Sequence, residues 1–217
     1  MMSILIIGAG SFGHRAAVLL GREYPSAGIQ IVDQDVDRLK SPDLRAFDTV
    51  AGDGVAYLEE RLKEADPPTW VVPAAPVHVA FEWIRRCTAD DYRIEILDVP
   101  EAVLSILPNI FKGQQAQVYV SNADFICPPD CPEPEEICTY TGEPRPRILH
   151  DFLASIAHAG FRSVVIRSEQ LLPGVGGYRP AALFDALKAV TAVPGSLFFS
   201  TACKCHGVLQ AFRIEKK

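Results

Sequence analysis

The sequence predicts an α/β fold built on a mainly parallel sheet, and three observations predict it. Short apolar runs alternate with helical stretches along most of the chain. A glycine-rich turn directly follows the first run. An aspartate ends the second.

Residues 4–7 form an apolar run that stops at Gly8, the pattern of a strand buried on both faces. Residues 11–22 follow as a helix with Ala16, Ala17, Leu19 and Leu20 available for packing. Residues 29–33, 47–51, 69–72 and 93–97 read as the second to fifth strands, and residues 55–64 and 77–87 as helices between them. Residues 101–107 predict a short helix, and residues 117–121 alternate like a strand. Residues 128–146 then carry Pro128, Pro129, Pro132, Pro134, Pro144 and Pro146 beside Glu133, Glu135, Glu136 and Glu143. Proline lacks an N–H and fixes φ, so this stretch is neither a long helix nor an inner strand. The α/β rhythm then resumes, with a helix over 147–159, a strand over 162–167, a helix over 180–190 and strands over 196–201 and 207–214. Gly160 is the expected helix stop.

Composition narrows the function classes. The chain has 217 residues and a formal net charge of -6, with no basic run, which argues against a nucleic-acid partner. No apolar stretch reaches the ~18 residues of a membrane span. The apolar N-terminus lacks a basic leader and runs straight into the glycine turn, so it reads as a strand and not a signal peptide. A cytoplasmic protein is the expectation, with a small-molecule substrate or a regulatory protein as partner; a homodimer is compatible with the sequence.

The turn itself, Gly8-Ala9-Gly10-Ser11-Phe12-Gly13, matches G-x-G-x-x-G. Gly8 makes the tight turn, Gly10 admits a pyrophosphate to the backbone, and Gly13 lets the helix pack on the sheet. The helix N-terminus offers free N–H groups to phosphates. Asp33 stands 20 residues beyond Gly13, where a carboxylate accepts ribose hydroxyls and repels a 2′-phosphate. These features predict a Rossmann-type doubly wound domain that binds NAD(H) in preference to NADP(H). The alternative is a glycine turn in a fold that has lost its nucleotide.

The stretch Ser3 to Gly13, then Ile31-Val32-Asp33-Gln34-Asp35 with Arg38-Leu39, then Ala51-Gly52-Asp53-Gly54, resembles TrkA-N NAD-binding domains over about the first 80 residues. It is also similar to the N-terminal domain of saccharopine-dehydrogenase-like proteins. The resemblance implies that Asp33, with Gln34 beside it, faces the adenosine ribose and that Gly52 and Asp53 lie near the adenine. The run Val71-Val72-Pro73-Ala74-Ala75-Pro76 departs from the usual TrkA-N ending and is closer to the dehydrogenase-like group.

Five of the six cysteines are clustered, and Cys87 stands alone in a helical pattern and reads as core. Cys127, Cys131 and Cys138 follow the strand at 117–121, and Cys203, Cys205 and His206 follow the strand at 196–201. If both strands run parallel in the main sheet, both clusters emerge at its carboxyl edge. Three thiolates from one loop and one ligand from the other then make a tetrahedral zinc or iron–sulfur site. The competing readings are buried free thiols and a reversible disulfide such as Cys127–Cys131. His78, after the fourth strand, is the candidate general acid or base. Arg167 and Arg179 flank a glycine-rich segment, residues 170–178, and are candidates for an acidic group.

The domain expectation is a dinucleotide-binding domain over residues 1–124, a cysteine- and proline-rich loop over 125–146, and an α/β extension over 147–217 packed on the same sheet as one continuous core. The functional expectation is an NAD-dependent oxidoreductase or redox protein with a cysteine-ligated metal near the dinucleotide crevice. The rival is a non-catalytic NAD(H) sensor of TrkA-N type.

Overall fold

The computed structural model describes residues 2–217. Its chain divides into two compact units, Met1–Cys87 with Val175–Ala181, and Thr88–Gly174 with Ala182–Lys217.

The first unit contains β1 (Ser3–Ile7), α1 (Ser11–Glu23), β2 (Gly28–Asp33), α2 (Val36–Leu39), β3 (Asp48–Ala51), α3 (Gly54–Arg61), β4 (Trp70–Pro73) and α4 (Val79–Cys87). Its sheet has the order β3-β2-β1-β4, and every pairing is parallel. Ile4, Leu5, Ile6 and Ile7 are all buried, as an unbroken apolar run between two covered faces requires. The strand order reverses beside β1, so the carboxyl ends of β1, β2, β3 and β4 form a rim with a switch point in it. That rim carries Gly8, Gln34, Gly52 and Ala74.

The second unit contains β5 (Tyr92–Leu97), α5 (Glu101–Leu104), β6 (Ile110–Lys112), β7 (Val118–Ser121), α6 (Leu149–Ala154), β8 (Phe161–Arg167) and β9 (Glu169–Leu172). After β10 (Val175–Gly177), which belongs to the first unit, come α7 (Pro180–Ala192), β11 (Gly195–Ala202) and β12 (His206–Lys216). Here the expected architecture needs correction. The late strands do not extend the first sheet; they form a mixed sheet of their own, β6-β7-β12-β11-β8, with β5 also paired to β12. β5, read as the fifth strand of the first sheet, runs antiparallel to the second half of β12, from Leu97 against Ala211 to Tyr92 against Lys216. Residue alternation decides which face a side chain occupies, but not which strand lies next to it.

β12 organises this sheet. It folds back on β11 as a hairpin, with Ala202 against Gly207 and Gly195 against Ile214. β7 pairs with its first half, His206 against Ser121. One face buries Val118, Val120, Phe198, Ala202, Leu209 and Ala211 against Val103 and Leu104 of α5 and Leu149 and Leu153 of α6. Phe199 and Phe212 are buried on the opposite face, with their rings 6.4 Å apart in a T-shaped contact. Among the described residues, no helix is long and apolar enough to cross a membrane.

Candidate dinucleotide turn and thiol cluster

The glycine turn is held at both ends by the parallel ladder. Gly8 N–H donates to Val32 O at 2.7 Å, and Ala74 N–H donates to Ile7 O at 2.8 Å. Gly8 has φ +105°, and a Cβ there would lie 2.8 Å from the Ala74 carbonyl oxygen, so only glycine fits. A Cβ on Gly13 would stand 1.8 Å from Gly8 O. Gly10 differs: the nearest heavy atom to a Cβ there is Arg38 Nη1, 3.7 Å away. Gly10 is also the N-cap of α1, and no side chain caps that helix. Its first N–H groups at Ser11, Phe12 and Gly13 therefore keep their capacity for an anion. Phe12 is exposed on the same turn.

Asp33 reaches into this turn. Its Oδ2 accepts Ala9 N–H at 2.6 Å, and its Oδ1 accepts Asp35 N–H at 2.8 Å. Each carboxylate oxygen has a second lone pair for a hydroxyl donor. Arg38 stands 3.9 Å from Asp33 Oδ2 and 3.1 Å from Asp35 Oδ2, so its charge is already shared between two carboxylates. Gln34 Nε2 donates to Asp53 Oδ2 at 3.3 Å, which joins two of the expected cofactor residues. Asp53 Oδ1 accepts from Val55 and Ala56 N–H, so this aspartate is the N-cap of α3. A Cβ on Gly52 would meet nothing within 4 Å.

His78 does not fit the role of general acid or base. It is 2% exposed, and burial lowers its imidazole to about 3. Its carbonyl accepts Glu82 N–H at 3.0 Å at the start of α4. The position after a strand end matched the expected site, but burial keeps the ring neutral at physiological pH. The unfolded chain binds a proton near pH 6.5 that the folded chain refuses until about pH 3. Stability from this group is therefore intact above pH 6.5 and declines as pH falls toward 3, by up to about 1.4 kcal/mol per pH unit. Urea unfolding of wild type and His78→Gln across that window is the measurement; the variant is expected to lose the steep acid dependence. Equal slopes would refute this reading of His78.

The two cysteine clusters both lie in the second unit. β7 and β11 are each antiparallel to β12, hence parallel to each other, and both end where β12 begins. The two strand ends therefore share one edge, although in the second sheet and not in the first. Asn122 N–H donates to Cys205 O at 2.9 Å, and Asn122 Nδ2 donates to Lys204 O and Arg147 O. Leu149 N–H also donates to Lys204 O at 2.9 Å. These bonds tie both ends of the proline-rich segment to the β11–β12 turn. Within the segment, Ile137 and Pro144 form a bridge, and Cys138 N–H donates to Glu143 O at 2.8 Å. Cys131 O accepts Gly174 N–H at 3.1 Å and Gln170 Nε2 at 2.8 Å.

Two of the sulfurs sit in similar turns. Cys203 Sγ accepts the N–H groups of Cys205 and His206, each at 3.4 Å. Hydrogen bonds from the Thr141 backbone, then the Thr141 side chain and the Tyr140 backbone, hold the Cys138 thiol below its usual range. The Cys127, Cys205 and Cys203 thiols are raised. Burial pushes Cys127 up, with the neighbouring Cys131 and Cys138 adding to it. Burial also raises Cys205; Arg145 opposes the shift, while Glu133, Cys127 and Cys131 reinforce it. Burial and then Glu133 push Cys203 up to about 12. Desolvation lowers His206, with Glu133 acting against it. Among the described residues, no group of three or more His, Cys, Asp or Glu side chains is placed to hold a metal ion as it stands.

Two residues here carry no signal in the sequence. Arg145 donates through Nη1 to Cys205 Sγ and through Nη2 to Pro134 O, while its buried Nε has no hydrogen-bond partner. Glu133 adopts φ +48°, a left-handed conformation uncommon outside glycine, and its Oε1 accepts Lys204 N–H at 2.5 Å. Of the other candidates, Arg179 lies over the Trp70 ring at 4.2 Å.

A family profile described as "Uncharacterized protein, C-terminal domain" matches residues 80–215. The chain is also similar to an uncharacterized protein of Archaeoglobus fulgidus, 29% identical over 221 residues that cover 96% of this chain and 98% of that protein. No solved structure matches it.

Proposed function

Because the chain belongs to the AF_1314_C family of uncharacterized C-terminal domains, we propose its function from the geometry: its first unit is a Rossmann-type domain that binds NAD(H). The observation that carries this reading is Asp33, whose carboxylate accepts Ala9 N–H inside the glycine turn at 2.6 Å. That contact puts a negative charge where a ribose edge and a pyrophosphate would meet. The uncapped start of α1 and the strand order β3-β2-β1-β4 support the same site. NAD(H) is favoured over NADP(H) because Asp33 repels a 2′-phosphate and Arg38 is already paired with carboxylates. This is the kind of site the TrkA-N resemblance implies.

The whole chain reads as a cytoplasmic redox protein or oxidoreductase, with thiols kept reduced and a metal at the cysteine cluster. The burial of His78 favours a second reading, a sensor that binds NAD(H) without turnover, since that imidazole does not exchange a proton near neutral pH. Turnover of NADH with a dye acceptor supports the enzyme. Binding without turnover, with a changed association state, supports the sensor.

NADH fluorescence titration tests the site. Asp33→Asn keeps an acceptor for Ala9 N–H but removes the charge. Loss of a charged hydrogen bond of about 1.5–3 kcal/mol predicts NADH binding roughly 10–100-fold weaker, with less discrimination against NADPH. No binding of either dinucleotide to the wild type would refute the proposal.

A further inference from the structure

We propose that Phe12 is the ring on which the nicotinamide of NAD(H) stacks. The inference rests on the dinucleotide reading above and assigns a residue to the half of the ligand that Asp33 does not reach. Asp33 ends β2, so in that reading the adenosine half lies on the β2 side of β1. The strand order β3-β2-β1-β4 leaves the β4 side for the other half, once the pyrophosphate has crossed Gly10. Two large apolar side chains stand exposed on the segments that follow β1 and β4: Phe12, 72% exposed, and Val77, 38% exposed. The two segments adjoin, since a Cβ on Gly13 would lie 3.3 Å from the Ala74 Cβ.

Helix geometry sets the side to which Phe12 belongs. The buried stripe of α1 is Gly13, Ala16, Ala17 and Leu20. Successive residues turn by about 100°, so Phe12 and His14, on either side of Gly13, leave the helix on opposite flanks. The flank of His14 is marked by its partners. Its Nε2 is 3.2 Å from Ser41 Oγ and 3.4 Å from Asp43 Oδ2, in the segment between α2 and β3. Gly21, seven positions on, shares that flank, and a Cβ there would lie 2.6 Å from the Phe47 ring, just before β3. One flank of α1 thus faces the β2–β3 side, and Phe12 is on the flank toward β4. A flat heterocycle laid on its ring would remove apolar area of both partners from water and gain an aromatic contact. The segment beneath, Pro73-Ala74-Ala75-Pro76-Val77, carries no ionisable side chain, and His78 after it is buried and neutral. Phe12 is therefore a residue that binds and orients the ring, with no part in moving a proton.

The test compares NADH with ADP-ribose, which has the same adenosine and pyrophosphate but no nicotinamide, by calorimetric titration of the full-length chain. Phe12→Ala is expected to weaken NADH roughly 10-fold, the loss of one stacking contact, and to leave ADP-ribose within about 2-fold of wild type. Phe12→Tyr is expected to restore NADH binding. Asp33→Asn supplies the contrast, since it is expected to weaken both ligands alike. Alanine is favoured in a helix and Phe12 is exposed, so the variants are expected to fold, with urea midpoints no lower than that of wild type. Unchanged NADH affinity in Phe12→Ala, or an equal loss for NADH and ADP-ribose, would overturn the role of Phe12 while leaving the dinucleotide site standing. A wild type that binds neither ligand would refute the dinucleotide reading itself, and this assignment with it.

Discussion

Gly13→Ala is expected to unfold the first unit, whereas Gly10→Ala is expected to leave it folded and abolish the proposed NADH binding. The two glycines are three residues apart in one motif, yet they face different constraints. A Cβ on Gly13 would lie 1.8 Å from Gly8 O and 2.9 Å from Gly8 C, both backbone atoms that cannot swing aside. Relief requires α1 to move off β1, at a cost of roughly 3 kcal/mol or more. That is a large share of the 5–15 kcal/mol or so that typically stabilises a domain. Gly10 has φ -66° and ψ -173°, which alanine adopts freely, and a Cβ there clears Arg38 Nη1 by 3.7 Å. Its fold cost, as an N-cap change, is under about 1 kcal/mol. The new methyl would instead stand where the proposed site brings a pyrophosphate against the backbone. A loss of roughly 100-fold in NADH affinity, about 2.7 kcal/mol, is expected. Urea midpoints and NADH titrations of both variants check this, and unchanged NADH binding by Gly10→Ala would remove the pyrophosphate from this turn.

Phe212→Ala is expected to destabilise the second unit by roughly 3–5 kcal/mol. Phe212 is fully buried on β12, which bonds to β11 on one side and to β7 and β5 on the other. Its ring meets Phe199 edge-on, so the cavity opens in the middle of the sheet. Phe212→Leu preserves most of the volume and should cost under about 1.5 kcal/mol. Circular dichroism through urea unfolding measures both, and a loss below about 1 kcal/mol for the alanine variant would show that this face of the sheet collapses to fill the space.

The cysteine clusters show how far strand ends alone can be read. Both were expected to emerge at the carboxyl edge of the first sheet; β7 and β11 do end together beside the start of β12, but among the described residues no three of their ligands are gathered for a metal. The route differs: the strands lie in a second, mixed sheet. His78 shows the opposite case. Its position after β4 matched a catalytic role, but the packing that buries it removes the proton exchange that role needs.

The sequence by itself determined the strand–turn–helix around Gly8, Gly10 and Gly13, the placement of Asp33 at the end of β2, and the irregular course of residues 128–146. Each depends on neighbours within a few positions or on backbone chemistry intrinsic to glycine and proline. Tertiary structure alone decided that β5 and β12 pair in a separate sheet, that Asp53 caps α3, and that Glu133 and Arg145 reach the thiols. Strand partners and charged contacts between distant residues are chosen by the competition of whole surfaces for burial. Local propensity and alternation describe one strand or one turn at a time, and so leave that competition open.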